Sequence, residues 1–177
     1  MELIYILTHQ QLHQKFYLDL NLQIQQRPLE LAALVNYFIT RQGEGDKISR
    51  YAEIGACSGG TTFTLNKFLK FEEILIIDDA GAENPGVYID GRGDHSRMHN
   101  LSFIKRIEII GDSRDERVIK TALAISNVEK FDVLFIDGNH TYEGVYNDTF
   151  NYYDIVREGG YIVYHDFVCS DNPKKVA

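Results

Sequence analysis

Two acidic residues follow two apolar stretches in the last third of the chain. Asp137 comes directly after the run at 133–136, and Asp166 comes shortly after the run at 161–164. Unbroken apolar runs are typical of strands buried on both faces, as in a parallel sheet. Neighbouring parallel strands lie about 4.8 Å apart, and open α/β sheets bind ligands at their carboxyl edge. We therefore expect the two carboxylates to meet there, either with a cation or a shared proton between them or merely as caps of their loops.

A helix is predicted between these two strands. Thr141 is a suitable N-cap, and apolar and aromatic residues recur at steps of three and four as far as Val156. Gly159-Gly160 is predicted to end this helix. The unit is therefore a β-α-β crossover, which is right-handed in nearly all proteins.

The same alternation runs through the rest of the chain. A helical segment at 1–45, with a helix beginning at Pro28, precedes the predicted α/β domain at 46–177. Strand and helix alternating in this way predict an α/β fold with a doubly wound, mostly parallel sheet. Strands are predicted at 48–54, 74–77 and 107–110, and helices at 61–70 and 115–127.

Composition limits the class of protein. The 177 residues are 44% hydrophobic and 25% charged, which is typical of one globular domain. A net charge of -8 disfavours nucleic-acid partners, which require a basic surface. Cys57 and Cys169 do not make a disulfide framework, and no apolar stretch reaches transmembrane length. We therefore expect a cytoplasmic protein with neither a nucleic-acid nor a membrane partner.

A glycine-rich turn at 53–62 follows the first predicted strand of the domain. Gly55 and Gly59 are four residues apart, so the G-x-G-x-x-G spacing of dinucleotide-binding proteins is absent. Glu53 would repel a pyrophosphate and favour a cationic ligand. S-adenosylmethionine carries a sulfonium and an ammonium and no phosphate. The turn therefore favours S-adenosylmethionine over a dinucleotide.

Five motifs of the chain follow predicted strands or loops at the carboxyl edge of the sheet. They are EIGACSGGTT at 53–62, ILIIDD at 74–79, GDS at 111–113, FIDGNHTYEGVYND at 135–148 and GGYIVYHDF at 159–167. Together they resemble the motifs of class I S-adenosylmethionine-dependent methyltransferases. More narrowly, the chain is similar to the group that includes small O-methyltransferases and cephalosporin-hydroxylase-like proteins. The similarity extends over about residues 28–167, and the last two motifs are the most specific.

The resemblance implies a Rossmann-like fold and a set of cofactor contacts. In that family the glycine turn contacts the amino-acid part and ribose of the cofactor. The acid that closes the second strand, here Asp78, binds the ribose hydroxyls, and Asp112 lies near the adenine. The contacts expected from the resemblance are Glu53, Gly55, Ala56, Ser58, Gly59, Thr61, Asp78, Asp112, Ser113 and Asp137.

The resemblance also implies a metal and a base. In metal-dependent members, acids at the positions of Asp137 and Asp166 bind a divalent cation such as Mg²⁺. A third ligand usually adjoins the second acid; here His165 is the candidate. His140 stands near the position of the base lysine of catechol-type enzymes, so it is a candidate base, although a histidine that only bonds the loop backbone is an alternative.

The expected function is methyl transfer to a hydroxyl oxygen of a small molecule or sugar. A nicotinamide-dependent oxidoreductase and a non-catalytic binding module remain as alternatives. The long segment at 80–100 is expected to cover the acceptor pocket. The chain stops soon after the fifth strand, at Ala177, whereas the family fold continues. We therefore expect further chain, another segment or a second subunit, as in a homo-oligomer, to cover the exposed sheet edge.

Overall fold

The computed structural model of the protein describes residues 26–57, 59–79 and 105–165. The sequence-predicted site residues Ser58 and Asp166, and the predicted covering segment at 80–100, lie outside these ranges. The elements alternate along the chain as the sequence predicts. They are α1 (Pro28–Gly43), β1 (Arg50–Ile54), α2 (Gly60–Leu69), β2 (Glu73–Asp78), β3 (Lys105–Ile110), α3 (Glu116–Ser126), β4 (Phe131–Ile136), α4 (Tyr142–Tyr152), a 3₁₀ turn (Tyr153–Ile155) and β5 (Val156–Tyr164).

The five strands form one sheet in the order β3-β2-β1-β4-β5, with every pair parallel. Strands β2 and β3 therefore follow β1 on one side of the sheet, and β4 and β5 follow on the other side of β1. The carboxyl ends of β1 and β4 form the switch point, where the two flanking connections diverge and leave a crevice. The predicted doubly wound α/β class is confirmed.

Alternate residues of each strand face opposite sides of the sheet, and each side has its own hydrophobic core. On one side α1 and α2 pack against residues such as Tyr51, Ile76 and Phe135. On the other side α3 and the 3₁₀ turn pack against residues such as Ile54 and Leu134. Helix α1 thus shares a core with the sheet. None of the helices in the described ranges is long and apolar enough to cross a membrane.

The end of α4 corrects one prediction. The helix ends at Tyr152, and Gly159-Gly160 lies inside β5 instead of terminating the helix. Gly159 has a φ of +72°, and a Cβ on Gly160 would lie 2.9 Å from the backbone oxygen of Asp132. The two glycines therefore allow β5 to pass close to β4, where the pairing register shifts.

The aromatic stripe of α4 also differs from the usual amphipathic pattern. Its buried positions are Gly144, Asp148 and Tyr152, whereas Tyr142 and Tyr146 are exposed. The rings of Tyr142 and Tyr146 stack at a centroid distance of 6.3 Å. The spacing of the apolar and aromatic residues predicts the helix but not its buried face, because a glycine and an aspartate occupy two of the buried positions.

Candidate functional site

The glycine turn and the end of β4 meet at the switch point. Gly55 has a φ of +83°, and its N–H donates a 2.9 Å hydrogen bond to the backbone oxygen of Ile77. A Cβ at Gly55 would lie only 2.2 Å from the backbone oxygen of Asp137. Glycine is therefore required here both for its conformation and for the close approach of the two loops.

Asp78, at the end of β2, faces the same turn. Its Oδ2 accepts a 2.8 Å hydrogen bond from the backbone N–H of Cys57. Cys57 itself has a φ of +51°, a left-handed conformation that is uncommon outside glycine. The carboxylate thus holds the turn in shape and lies where the resemblance places the ribose acid.

Three side chains contact the carboxylate of Asp137. Its Oδ1 lies 3.1 Å from Nε2 of His140 and 2.9 Å from Nδ1 of His165. Its Oδ2 accepts a 2.6 Å hydrogen bond from Nε2 of Gln26. Burial raises the pKa of Asp137, but the hydrogen bonds from His140 and His165 outweigh burial and hold this pKa below its usual value. The carboxylate is therefore ionised at neutral pH.

These residues also fit a metal ion. One potential ligand atom from each of Asp137, His140 and His165 lies within 4.8 Å of the others. The set combines one carboxylate with two imidazoles, which suits first-row transition ions better than an all-oxygen set does. His165 thus stands beside Asp137, as expected, and His140 joins them from the loop after β4.

Gln26 is a site residue that sequence reasoning did not single out. It is 5% exposed and lies just before α1. Its side chain reaches the cleft between the glycine turn and Asp137, where it accepts a hydrogen bond from the Thr61 hydroxyl. The cleft is lined by Gln26, Gly55, Ala56, Cys57, Gly60, Thr61 and Asp137.

Glu53 lies in a different environment from the one expected. It is 1% exposed, accepts hydrogen bonds from the hydroxyls of Tyr51 and Thr62, and is not among the residues that line the cleft. Burial raises the pKa of Glu53 to about 8, against the effect of those two hydrogen bonds. Burial therefore favours the neutral form of the side chain near pH 7, and the expected contact of Glu53 with a cationic ligand stays a prediction.

The loop after β3 is fixed by side chains from two directions. Both oxygens of Asp112 accept hydrogen bonds from the Arg114 guanidinium, at 2.9 and 2.7 Å. Ser113 donates a 2.6 Å hydrogen bond to the buried Asp148 of α4. Burial raises the pKa of Asp148 to about 6. Asp112 and Ser113 therefore lie in a loop held by its own hydrogen bonds, and their contact with the cofactor stays a prediction.

Comparisons with known proteins agree with this architecture. The profile of a family described as "Methyltransferase domain" matches residues 52–167. Uncharacterized protein R132 of Acanthamoeba polyphaga mimivirus is 32% identical over 119 residues, which are 66% of this chain and 51% of the viral protein. The match therefore spans about half the length of that relative.

Solved structures share the fold at low sequence identity. A caffeoyl-CoA O-methyltransferase-like protein from Staphylococcus aureus is 16% identical and aligns with 93% of this chain and 75% of its own, with a TM-score of 0.57. MycE, a methyltransferase of mycinamycin biosynthesis solved with Mg, SAH and mycinamycin VI, is 19% identical and aligns with 83% of this chain and 43% of its own, at a TM-score of 0.51. CalS10, a SAM-bound amino pentose methyltransferase from Micromonospora echinaspora, is 15% identical over 82% of this chain and 52% of its own, with a TM-score of 0.51. These similarities establish the Rossmann-like methyltransferase fold.

Proposed function

This chain belongs to the methyltransferase-domain family, and we propose that it transfers a methyl group from S-adenosylmethionine to a hydroxyl oxygen of a small molecule or sugar. The observation that carries this proposal is the convergence of two features in one crevice. The glycine turn of β1 and the cluster of Asp137, His140 and His165 meet at the carboxyl edge of the sheet. A donor bound on the turn would lie beside groups able to activate an acceptor.

The cofactor part of the proposal is supported by the backbone of the turn. Gly55 and Gly59 have positive φ angles, which let a ligand approach the main chain closely. Asp78 adds a carboxylate at the end of β2 that suits vicinal hydroxyls. MycE contains SAH, and CalS10 contains SAM. A dinucleotide is disfavoured because its fingerprint spacing is absent.

The proposed reaction is an in-line displacement. A lone pair of the acceptor oxygen forms a bond to the methyl carbon, and the carbon–sulfur bond breaks with its electron pair going to sulfur. The sulfonium becomes the neutral thioether of S-adenosylhomocysteine, and the acceptor loses its proton to a base. Catalysis of this kind depends mainly on the relative position of donor, acceptor and base.

His140 is proposed as that base. Because Nε2 of His140 faces an ionised carboxylate, this nitrogen carries the proton in the neutral ring, and Nδ1 is the basic nitrogen. Asp137 then stabilises the imidazolium that forms when Nδ1 accepts the acceptor proton. The side chain of His140 is 51% exposed, so an acceptor can reach it from solvent. This arrangement gives His140 and Asp137 complementary roles.

A divalent cation is proposed at the same cluster. Asp137 and His165 would hold it, with Asp166 as the further ligand implied by the family resemblance. When bound, such an ion lowers the pKa of an acceptor hydroxyl and fixes its position.

The proposal also covers location and partners. We propose a cytoplasmic protein that acts on a small-molecule or sugar acceptor, has no nucleic-acid or membrane partner, and forms a homo-oligomer.

The proposal is tested by following S-adenosylhomocysteine release. The purified protein is incubated with S-adenosylmethionine and panels of phenols, sugars and glycosides, with a divalent ion and with excess chelator. We expect release that depends on both a hydroxylated acceptor and the ion. Release that requires a nitrogen or carbon acceptor instead would contradict O-methylation, and release unchanged by chelator would contradict the metal.

A further inference from the structure

Gln26 joins the two sides of the crevice, the glycine turn and Asp137, through one hydrogen bond on each side. Its Nε2 donates to Oδ2 of Asp137 at 2.6 Å, and its Oε1 accepts from the hydroxyl of Thr61 in the first turn of α2. The side chain is 5% exposed, and it lines the cleft together with the glycine turn. One amide therefore bridges the proposed cofactor turn and the proposed catalytic acid.

Chemistry fixes the orientation of this amide. The Asp137 carboxylate only accepts hydrogen bonds, so it must face the NH₂ group, and the carbonyl oxygen must face the Thr61 hydroxyl. Reversal would set the amide oxygen against a carboxylate. Since the hydrogen bond to Asp137 is also charge-assisted, it is among the stronger contacts available to an uncharged side chain.

The bridge divides the two oxygens of Asp137 between two tasks. Oδ2 is held by Gln26, and Oδ1 is directed to His140 and His165. Rotation of the carboxylate would break the contact with Gln26, so this contact restricts the acid to the orientation that serves the histidines. Partners that orient a ligating carboxylate in this way typically change metal affinity or activity about 10–100-fold when removed.

We propose that Gln26 is a positioning residue that acts through Asp137, holding its carboxylate for the divalent ion and for His140. This inference rests on the proposed function, because it assigns Gln26 a part in the same site. It concerns the acceptor and metal side of the crevice. Gln26 also lines the cleft of the glycine turn, but the cofactor contacts implied by the resemblance lie mainly on that turn and on Asp78, so loss of the Gln26 amide is expected to weaken cofactor binding less than metal binding.

The chain offers a matched control in Gln42. This glutamine belongs to α1, and its Nε2 donates to the backbone oxygens of Ile48 and Leu69 at 2.9 and 3.1 Å. These contacts lie before β1 and at the end of α2, at the opposite edge of the sheet from Asp137. Gln26→Met and Gln42→Met make the same chemical change, and both remove amide hydrogen bonds, but only Gln26→Met affects the crevice.

The test compares both variants with the wild type. Mn²⁺ affinity is measured from the electron paramagnetic resonance signal of free Mn²⁺, without any methyl donor. S-adenosylhomocysteine affinity is measured by calorimetry, and folding is measured by the thermal midpoint of unfolding. Methyl transfer is described by kcat and KM. We expect Gln26→Met to lose about 10–100-fold in Mn²⁺ affinity and in kcat. Its S-adenosylhomocysteine affinity should fall by a much smaller factor. Gln42→Met should change only the thermal midpoint.

A double variant separates positioning from a general structural effect. If Gln26 acts through Asp137, adding Gln26→Met to Asp137→Asn should lower kcat little further, because the group that it positions is already lost. Thr61→Val, which removes the hydroxyl that orients the amide, should show a smaller loss of Mn²⁺ affinity, and this affinity is measured without a methyl donor because Thr61 is itself an expected cofactor contact. It also tests the inference if Gln26→Met fails to fold.

Three outcomes decide between the ideas. A wild type that binds neither S-adenosylhomocysteine nor Mn²⁺ overturns the proposed function and this inference with it. A wild type that binds both, together with a Gln26→Met variant of unchanged Mn²⁺ affinity and kcat, overturns the inference alone. The inference is also overturned if the loss of kcat in the double variant equals the product of the losses in Gln26→Met and Asp137→Asn, because Gln26 would then act independently of Asp137.

Discussion

Nε2 of His140 lies 3.1 Å from Oδ1 of Asp137. The same oxygen is 2.9 Å from Nδ1 of His165, at the end of β5. A single carboxylate oxygen thus faces two imidazoles that come from different elements of the sheet edge. Acid, base and metal roles are therefore concentrated within one small cluster, and each role can be tested separately.

Removal of the proposed base should slow the chemical step. We expect His140→Ala to lower kcat about 10²–10⁴-fold, the range typical of a lost general base. S-adenosylhomocysteine affinity should be nearly unchanged. Because the side chain of His140 is 51% exposed, added imidazole should restore part of the activity. A variant with wild-type kcat would show that another group accepts the proton.

Metal preference tests the donor set. The imidazole of His165 in the proposed donor set favours Mn²⁺, Co²⁺ or Zn²⁺ over Ca²⁺, whereas a site made of carboxylates alone would suit Mg²⁺ or Ca²⁺. We expect chelator to abolish methyl transfer and Mn²⁺ to restore it better than Ca²⁺. Asp137→Asn should abolish the response to Mn²⁺. Equal restoration by Ca²⁺ and Mn²⁺ would contradict a site that uses the imidazole of His165.

Gly55 is expected to tolerate no side chain. Gly55→Ala places a Cβ 2.2 Å from the backbone oxygen of Asp137, whereas a Cβ at Gly45, which also has a positive φ, meets no atom within 4 Å. Gly45→Ala should cost about 1–2 kcal/mol for the left-handed conformation alone. Gly55→Ala should cost about 1–3 kcal/mol more. Equal unfolding free energies for the two variants, measured in urea, would contradict the close approach.

Glu53 predicts a particular pH dependence of stability. Its pKa is about 8 in the folded protein, against an ordinary value of 4.5 in the unfolded chain. Between these values the folded state holds a proton that the unfolded state releases, so stability falls as pH rises. Glu53→Gln removes this effect. Between pH 6 and 7.5 the wild type should lose on the order of 1 kcal/mol of unfolding free energy per pH unit relative to the variant, measured by urea unfolding. Parallel pH curves would be inconsistent with a protonated Glu53.

Much of the fold could be predicted because each strand and helix has a recognisable pattern in its own stretch of sequence. Buried parallel strands appear as unbroken apolar runs, and acids directly after them, such as Asp78 and Asp137, must lie at the carboxyl edge. The proximity of His165 to Asp137 follows from pairing β4 with β5. His140 is only three residues from Asp137, so its place in the site could be predicted from the resemblance.

Other features depend on tertiary contacts that leave no local pattern. Gln26 is 111 residues from Asp137 in sequence, and one glutamine among several near the amino end gives no indication of that contact. Glu53 could have been placed correctly from strand alternation, since it shares a face of β1 with the buried Tyr51. Gly159-Gly160 was misplaced because a glycine pair that ends a helix and one that permits close strand packing look alike in sequence.

Calorimetric titration with S-adenosylhomocysteine and, separately, with NAD tests the central claim most directly. The account predicts that S-adenosylhomocysteine binds and NAD does not. Asp78→Ala should weaken binding by about 1.5–3 kcal/mol, the usual contribution of a hydrogen bond to a charged group. Tight binding of NAD with no heat from S-adenosylhomocysteine would contradict the assignment of the crevice to a methyl donor.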